Sequence, residues 1–361
     1  MSINSIIIWI MMIFMIIGLV DKIVFKDKYG YGEQFQEGVM AMGTLAMAMV
    51  GIMCFAPVLG NVLTPVLAPI FKLVGADPAM FAGSILAIDM GGYPLAKAMT
   101  DNAQIQNLSG IYLGAMMGAT VVFSIPVSLG IVQEKDRPFL AKGMLAGMIS
   151  IPFGVFIAAL VEGIPPIISI VNLIPSIIIA ILFALGLAFA PKKMLKGFDI
   201  FSKFITTFIL IVFAAAIIEG LTGFAIIKGM DPIADQLATV GIIAITLAGA
   251  YPLVFFITKV LNKPLKSFGK LLGVNEVAAA GIVASLANNI PTFGMLKDMD
   301  ERGKVMAVAF SVCASFALGD HLGYASAENP NIIFAMIVGK IGGGLVALFI
   351  ASLFLRKKSA E

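Results

Sequence analysis

Apolar residues along this chain come in long runs separated by short polar stretches, with no sustained alternation of the kind a half-buried strand would show. The runs cover approximately 3–20, 38–60, 78–99, 107–132, 139–161, 166–190, 200–221, 237–258, 276–296, 303–325 and 331–355. About 20 apolar residues in an α-helix match the thickness of a bilayer's hydrocarbon core. The pattern therefore predicts an all-α polytopic membrane protein. The first run has no basic segment before it and no small-residue cleavage site after it, so it reads as a retained span and not a signal peptide.

Two runs are interrupted. Residues 81–99 read FAGSILAIDMGGYPLAKAM and break at Asp89-Met90-Gly91-Gly92-Tyr93-Pro94. Residues 278–299 read AAAGIVASLANNIPTFGMLKDM and break at Asn288-Asn289-Ile290-Pro291. Membrane helices tolerate such breaks where neighbours satisfy the freed backbone groups, and paired breaks in two halves point to a transport site. Sliding the chain by 198 residues superposes Gly43 on Gly241, Ala46 on Ala244, Gly51 on Gly249, Lys72-Leu73 on Lys270-Leu271, Gly75 on Gly273 and Ala82-Gly83 on Ala280-Gly281. The two breaks then nearly coincide. This suggests a duplication, with an N-terminal half at 1–165, a linking helix and basic loop at 166–198, and a C-terminal half at 199–361.

Charge sets the expected topology. Basic residues cluster at 21–28 (Lys22, Lys26, Lys28), 133–142 (Lys135, Arg137, Lys142), 192–203 and 259–270 (four Lys each), and in the tail Arg356-Lys357-Lys358. Such loops belong on the cytoplasmic side. They share one side only if both interrupted runs enter and leave the membrane on the same face. The expectation is thus about nine spanning helices plus two re-entrant segments in an inverted repeat, with the N-terminus outside and the C-terminus cytoplasmic. Eleven full spans in a parallel repeat are the alternative.

Composition agrees. Of 361 residues, 60% are hydrophobic and 12% charged, against roughly 25% charged in soluble domains. The net charge of +3 is spread over inter-span loops, so it reports topology and not nucleic-acid binding. Cys54 and Cys313 lie in apolar runs without metal-type spacing and read as small packing residues. There is no phosphate-cradling Gly-Lys-Ser/Thr loop and no His-Glu-x-x-His pattern. No catalytic residue, cofactor or metal is expected, and a homo-oligomer is left open.

Ionisable groups inside apolar runs are costly and point to function. Asp89 either neutralises a cationic solute or caps the break. Asp320 and His321, in FALGDHLGY, form an ion pair that binds a cation or relays a proton, or else order a helix end. Asn288 and Asn289 hydrogen-bond a solute hydroxyl or amine, or satisfy backbone at the break. Tyr93, Phe293 and Tyr324 either face a cation or pack.

The stretches QFQEGVMAMGTLAMAMVG (34–51), MFAGSILAIDMGGYPLAK (80–97), LANNIPTFGMLKDMDERGKV (286–305) and FALGDHLGYA (316–325) resemble the ethanolamine-utilisation membrane protein family, EutH, from the first span to the last. Tyr93-Pro94 departs from the Phe and apolar residue of the family pattern, and the loop between the halves is short. The resemblance implies a permease for ethanolamine in the bacterial cytoplasmic membrane, serving ethanolamine catabolism in a microcompartment. It carries no established binding residue. Rival readings are a transporter of another small amine or polar metabolite, a non-transporting sensor or scaffold, and an intramembrane aspartyl protease. The last lacks its Gly-x-Gly-Asp, since this chain reads Ala317-Leu318-Gly319-Asp320.

Overall fold

The computed structural model describes residues 2–356, apart from the side chains of 261–268 and 356. Lys263, Lys266 and the Arg356-Lys357-Lys358 tail therefore lie outside the described side chains. The chain is a multi-pass helical membrane protein, and among the described residues eight helices are long and apolar enough to cross a bilayer.

Helix α1 (Ile3–Val24) turns into α2 (Tyr31–Lys72). The Asp21 carboxylate pins the corner by accepting from the backbone N–H groups of Tyr29, Tyr31 and Gly32 at 2.8–3.1 Å. After α2 come the half-helices α3 (Met80–Ile85) and α4 (Gly92–Met99), then α5 (Ala103–Gln106) and α6 (Ile125–Ile131). The stretch between α5 and α6 is helical but π-wound over Asn107–Gly118 and Thr120–Ser124, giving one span, Ala103–Ile131. Helices α7 (Arg137–Glu162), α8 (Pro166–Phe189), α9 (Pro191–Thr222) and α10 (Ile233–Leu272) follow. The last part holds α11 (Glu276–Ser285), α12 (Asn289–Met295), α13 (Glu301–Ala314), α14 (Asp320–Glu328) and α15 (Ile333–Arg356).

Both interrupted runs are hairpins whose ends meet. Thr100 donates to Asp77 at 2.8 Å, closing the base of α3–α4. Asn275 N–H donates to Asp300 at 2.8 Å, and its side chain to the Asp298 carbonyl at 3.0 Å, closing α11–α12. The two bases lie at opposite ends of the bundle. Helix α7 is the ruler: 26 residues, roughly 39 Å. At its start Asp136 pairs with Lys304, beside the second base. At its end Glu162 accepts from Asn107, beside the first. Two same-side hairpins of opposite sense are what the charge pattern requires, and eleven full spans do not describe this chain.

Two features differ from the sequence reading. The run 303–325, expected as an ordinary span, is itself broken into α13 and α14. Residues 315–319 unwind, with Phe316 at φ 63°, and lie against the end of α11. There Phe316 N–H donates to the Ser285 carbonyl and Leu318 N–H to that of Leu286, at 3.1 and 2.9 Å. Each break thus supplies partners for the other's backbone. Gly319 is required at this crossing, because a Cβ would sit 2.1 Å from the Ala287 carbonyl oxygen. Gly118 plays the same part at the first break, where a Cβ would meet the Leu86 oxygen at 1.9 Å. The second difference is that 192–203 and 259–270, expected as loops, are helical ends of α9 and α10. Their Leu and Lys residues are good helix formers. At 40 residues, α10 is roughly 60 Å long, about twice the bilayer core.

Among the described residues, eight helices are long and apolar enough to cross a bilayer, and the expected count of about nine is reached if the broken pair α13–α14 also crosses.

Candidate functional site

The breaks bring Asp89 and Asp320 to one cavity. Asp89 lies in the 3-10 turn Ile88–Met90 between α3 and α4, and Asp320 opens α14. Together with Ala87, Ala119, Phe123, Phe316 and His321 they line a space of about 30 Å³, room for about one or two waters. Tyr251 of α10 donates to Asp320 Oδ1 at 2.6 Å. The ammonium of Lys340, on α15, is fully buried and donates to the Ala115 carbonyl. It lies within electrostatic reach of Asp89.

From this cavity two chains of side chains run side by side at a helical spacing of four. Asp89, Tyr93 and Lys97 face Asp320, Tyr324 and Glu328. The rungs are the shared cavity, a perpendicular Tyr93–Tyr324 ring pair with centroids 6.4 Å apart, and a Lys97–Glu328 ion pair at 3.4 Å. The Lys97 ammonium also sits 5.3 Å over the Tyr93 ring. Beyond the third rung opens a vestibule of about 320 Å³, lined among others by Asn61, Lys97, Asp231, Gln236 and Glu328. The ladder thus joins an open polar basin to a closed acidic cavity.

Buried polar atoms without a partner among the described residues flank this route. They are the Tyr324 hydroxyl, Nδ1 of His321 and Oδ1 of Asn289. A buried polar group ordinarily finds a partner, so these atoms have hydrogen-bonding capacity to offer beside the acidic cavity. Asn289 is fully buried and donates to Ser124 Oγ at 2.8 Å, next in sequence to the cavity residue Phe123.

The remaining candidates are placed differently. Asp320 and His321 make no ion pair among the described residues. Adjacent helical positions point about 100° apart, so Asp320 meets Tyr251 while His321 lies against the Phe316 ring, 5.0 Å between centroids. Asn288 caps α12, accepting from Ile290 N–H at 2.8 Å. Phe293 is buried in the core away from the cavity lining. Sequence reasoning missed Tyr251, Phe123, Phe316 and Lys340. A signal existed only for Lys340: it stands alone in the apolar run 331–355, where a lysine is as costly as an aspartate.

No solved structure matches the chain. Among proteins of known sequence, it is 52% identical over its full length, and 98% of the relative's, to a "Probable ethanolamine permease EutH" of Listeria monocytogenes. It is 48% identical to one of the same name from Escherichia coli, covering 97% of that protein. An uncharacterised Bacillus subtilis protein, YxeR, is 42% identical over the whole chain. The family model described as "Ethanolamine utilisation protein, EutH" matches residues 3–354, and the chain belongs to that family.

Proposed function

We propose that this protein is a permease for ethanolamine in the bacterial cytoplasmic membrane, and that the protonated amine binds between Asp89 and Asp320. The observation that carries this reading is the acidic lining of the cavity. Two carboxylates, Asp89 and Asp320, face one small enclosed space, and a bound ammonium is the partner that lets them ionise there. A primary amine is almost wholly protonated at pH 7, and a buried charge is tolerated only when paired. Ethanolamine supplies the missing cation, and its hydroxyl suits the unpartnered Tyr324 hydroxyl or His321 nitrogen. Its chemistry also suits the permease names of the relatives.

The cavity as it stands is smaller than ethanolamine plus its contacts, so binding widens it. On this reading the breaks are the parts that move, and the Lys97–Glu328 pair stands between the cavity and the vestibule. We place the basic ends of α1, α7, α9 and α10 in the cytoplasm, which puts the N-terminus and the vestibule outside. We also read the halves 1–165 and 199–361, joined through 166–198, as an inverted duplication. Helices α2 and α10, of 42 and 40 residues, are then equivalent, and each precedes a hairpin.

Two aspartates on one cavity would also suit an aspartyl protease. The missing glycine before Asp320 and the enclosed cavity oppose that reading, and incubation with membrane peptides should give no cleavage. The deciding experiment is uptake of labelled ethanolamine into proteoliposomes. Saturable uptake above that of protein-free liposomes, competed by unlabelled ethanolamine but not by uncharged ethylene glycol, is expected. Uptake equal to protein-free liposomes at every pH sinks the permease reading.

A further inference from the structure

We infer that a groove on the lipid-facing side of α7 and α8 is a binding site for one anionic phospholipid, with its headgroup at a basic pocket between α6, α7 and α9. The pocket encloses about 940 Å³, and its charged lining is Arg137, Lys192, Lys196 and Lys203 against Glu134 and Asp199. Lys203 is held by Asp199 at 2.7 Å and Arg137 loosely by Glu134 at 3.7 Å. Among the described residues Lys192 and Lys196 have no acidic partner, and Nε of Arg137 is buried with no acceptor. The pocket therefore carries two uncompensated positive charges and an unused donor, which is the chemistry of a phosphate acceptor.

The pocket does not stop at the headgroup. Ala141 lines it, and Leu145, Ile149, Pro152 and Phe156 continue the same face of α7 at spacings of three and four. Opposite them, α8 presents Ala180, Ala184 and Ala188, small residues that leave room, just before Pro191 and Lys192 bring the chain back to the pocket. These residues line an almost purely apolar trough of about 590 Å³. From Ala141 to Phe156 the helix rises roughly 22 Å, more than the ~15 Å half-thickness of a bilayer core. A charged head leading into an apolar trough of acyl-chain length fits a phospholipid and not a free phosphate. The same end of the bundle holds the other basic helix ends, so the lipid belongs to that leaflet.

The test uses the full-length protein in detergent, titrated with phosphatidylglycerol or phosphatidylcholine of the same acyl chains and read by native mass spectrometry. The expected result is at least tenfold tighter retention of phosphatidylglycerol. At about 1 kcal/mol per basic residue near an anionic headgroup, Lys192→Gln/Lys196→Gln/Lys203→Gln should lower that affinity by about 30- to 150-fold and leave phosphatidylcholine unchanged. Ala184→Phe, which fills the trough, should weaken both lipids, with the unfolding temperature confirming that the variant folds. Equal retention of the two lipids by the wild type, or a preference that survives the triple substitution, overturns the proposal. Displacement of the lipid by inorganic phosphate at equal concentration would show a soluble-anion site instead and overturns it too.

Discussion

Replacing Asp89 or Asp320 by Asn keeps the shape of the cavity and removes one negative charge. If the cavity binds an ammonium, each change deletes a charge-assisted contact. A hydrogen bond to a charged group contributes about 1.5–3 kcal/mol net, and about 1.4 kcal/mol is tenfold in affinity. Half-saturation for ethanolamine should therefore rise by about 10- to 150-fold for either variant. Asp320→Asn keeps an oxygen for the Tyr251 hydroxyl, whose bond to Asp320 is 2.6 Å, so its packing should survive. The two carboxylates face one small cavity and like charges repel, so in the absence of substrate each Asn variant should be at least as heat-stable as the wild type. Opposite effects on affinity and stability mark a binding site, whereas a structural carboxylate would lose both together. The assay is concentration-dependent uptake in proteoliposomes alongside thermal unfolding of the same preparations. Two variants with half-saturation within about twofold of the wild type would refute the assignment, as would two variants that bind weakly only because they unfold.

Further outcomes follow from the same geometry. Lys304→Met breaks the 2.7 Å pair with Asp136, whose side chain is only 2% exposed, and should cost about 3–5 kcal/mol by leaving that carboxylate alone. Lys304→Met/Asp136→Leu should recover most of it in a thermal melt, and no recovery would mean that the pair is not the cause. Lys97→Met or Glu328→Gln removes a pair whose lysine is half exposed, worth about 0–1 kcal/mol, so uptake rates should change no more than about fivefold, and complete loss would show that the third rung does more than close the route. Cysteines at the exposed Asp101 and Lys297, in a background with Cys54 and Cys313 replaced by Ser, should react with a membrane-impermeant maleimide from opposite sides of sealed vesicles. Eleven full spans would put both on the same side.

The spans and the two hairpins were legible because their cause is local. A run of about 20 apolar residues reads as a membrane span, and Asp89-Met90-Gly91-Gly92 or Asn288-Asn289-Ile290-Pro291 interrupts it visibly. The third break was not legible, because Phe316, Ala317 and Leu318 are apolar and Gly319 is unremarkable in a membrane helix. What unwinds 315–319 is the end of α11 offering carbonyls at Ser285 and Leu286, about 30 positions earlier in the chain. Tyr251 gave no signal either: a tyrosine inside a span reads as packing until Asp320 is placed 2.6 Å away. For the adjacent amides Asn288 and Asn289 the sequence left two readings open, solute binding or backbone satisfaction at the break. The structure gives them separate partners, Ile290 for one and Ser124 for the other.

The pairing of Asp89 with Asp320 could not come from either half alone, and this bears on how the site works. One carboxylate sits on the first hairpin and the other on the crossing that braces the second, so on the proposed reading a cation between them draws the two parts together. On that reading, Tyr251 holds Asp320 in place through its 2.6 Å hydrogen bond. Lys340 cannot substitute for the solute, because its ammonium is tied to the Ala115 carbonyl in the π-wound stretch. On the proposed reading, a protonated Lys340 offsets one of the two carboxylates and so matches the cavity to a monovalent amine. Lys340→Met should then leave a cavity of charge minus two, which suits two cations or a diamine. Inhibition of ethanolamine uptake by ethylenediamine, weak in the wild type, should strengthen in this variant. An unchanged preference would show that Lys340 serves only to hold α15 against the π-wound span.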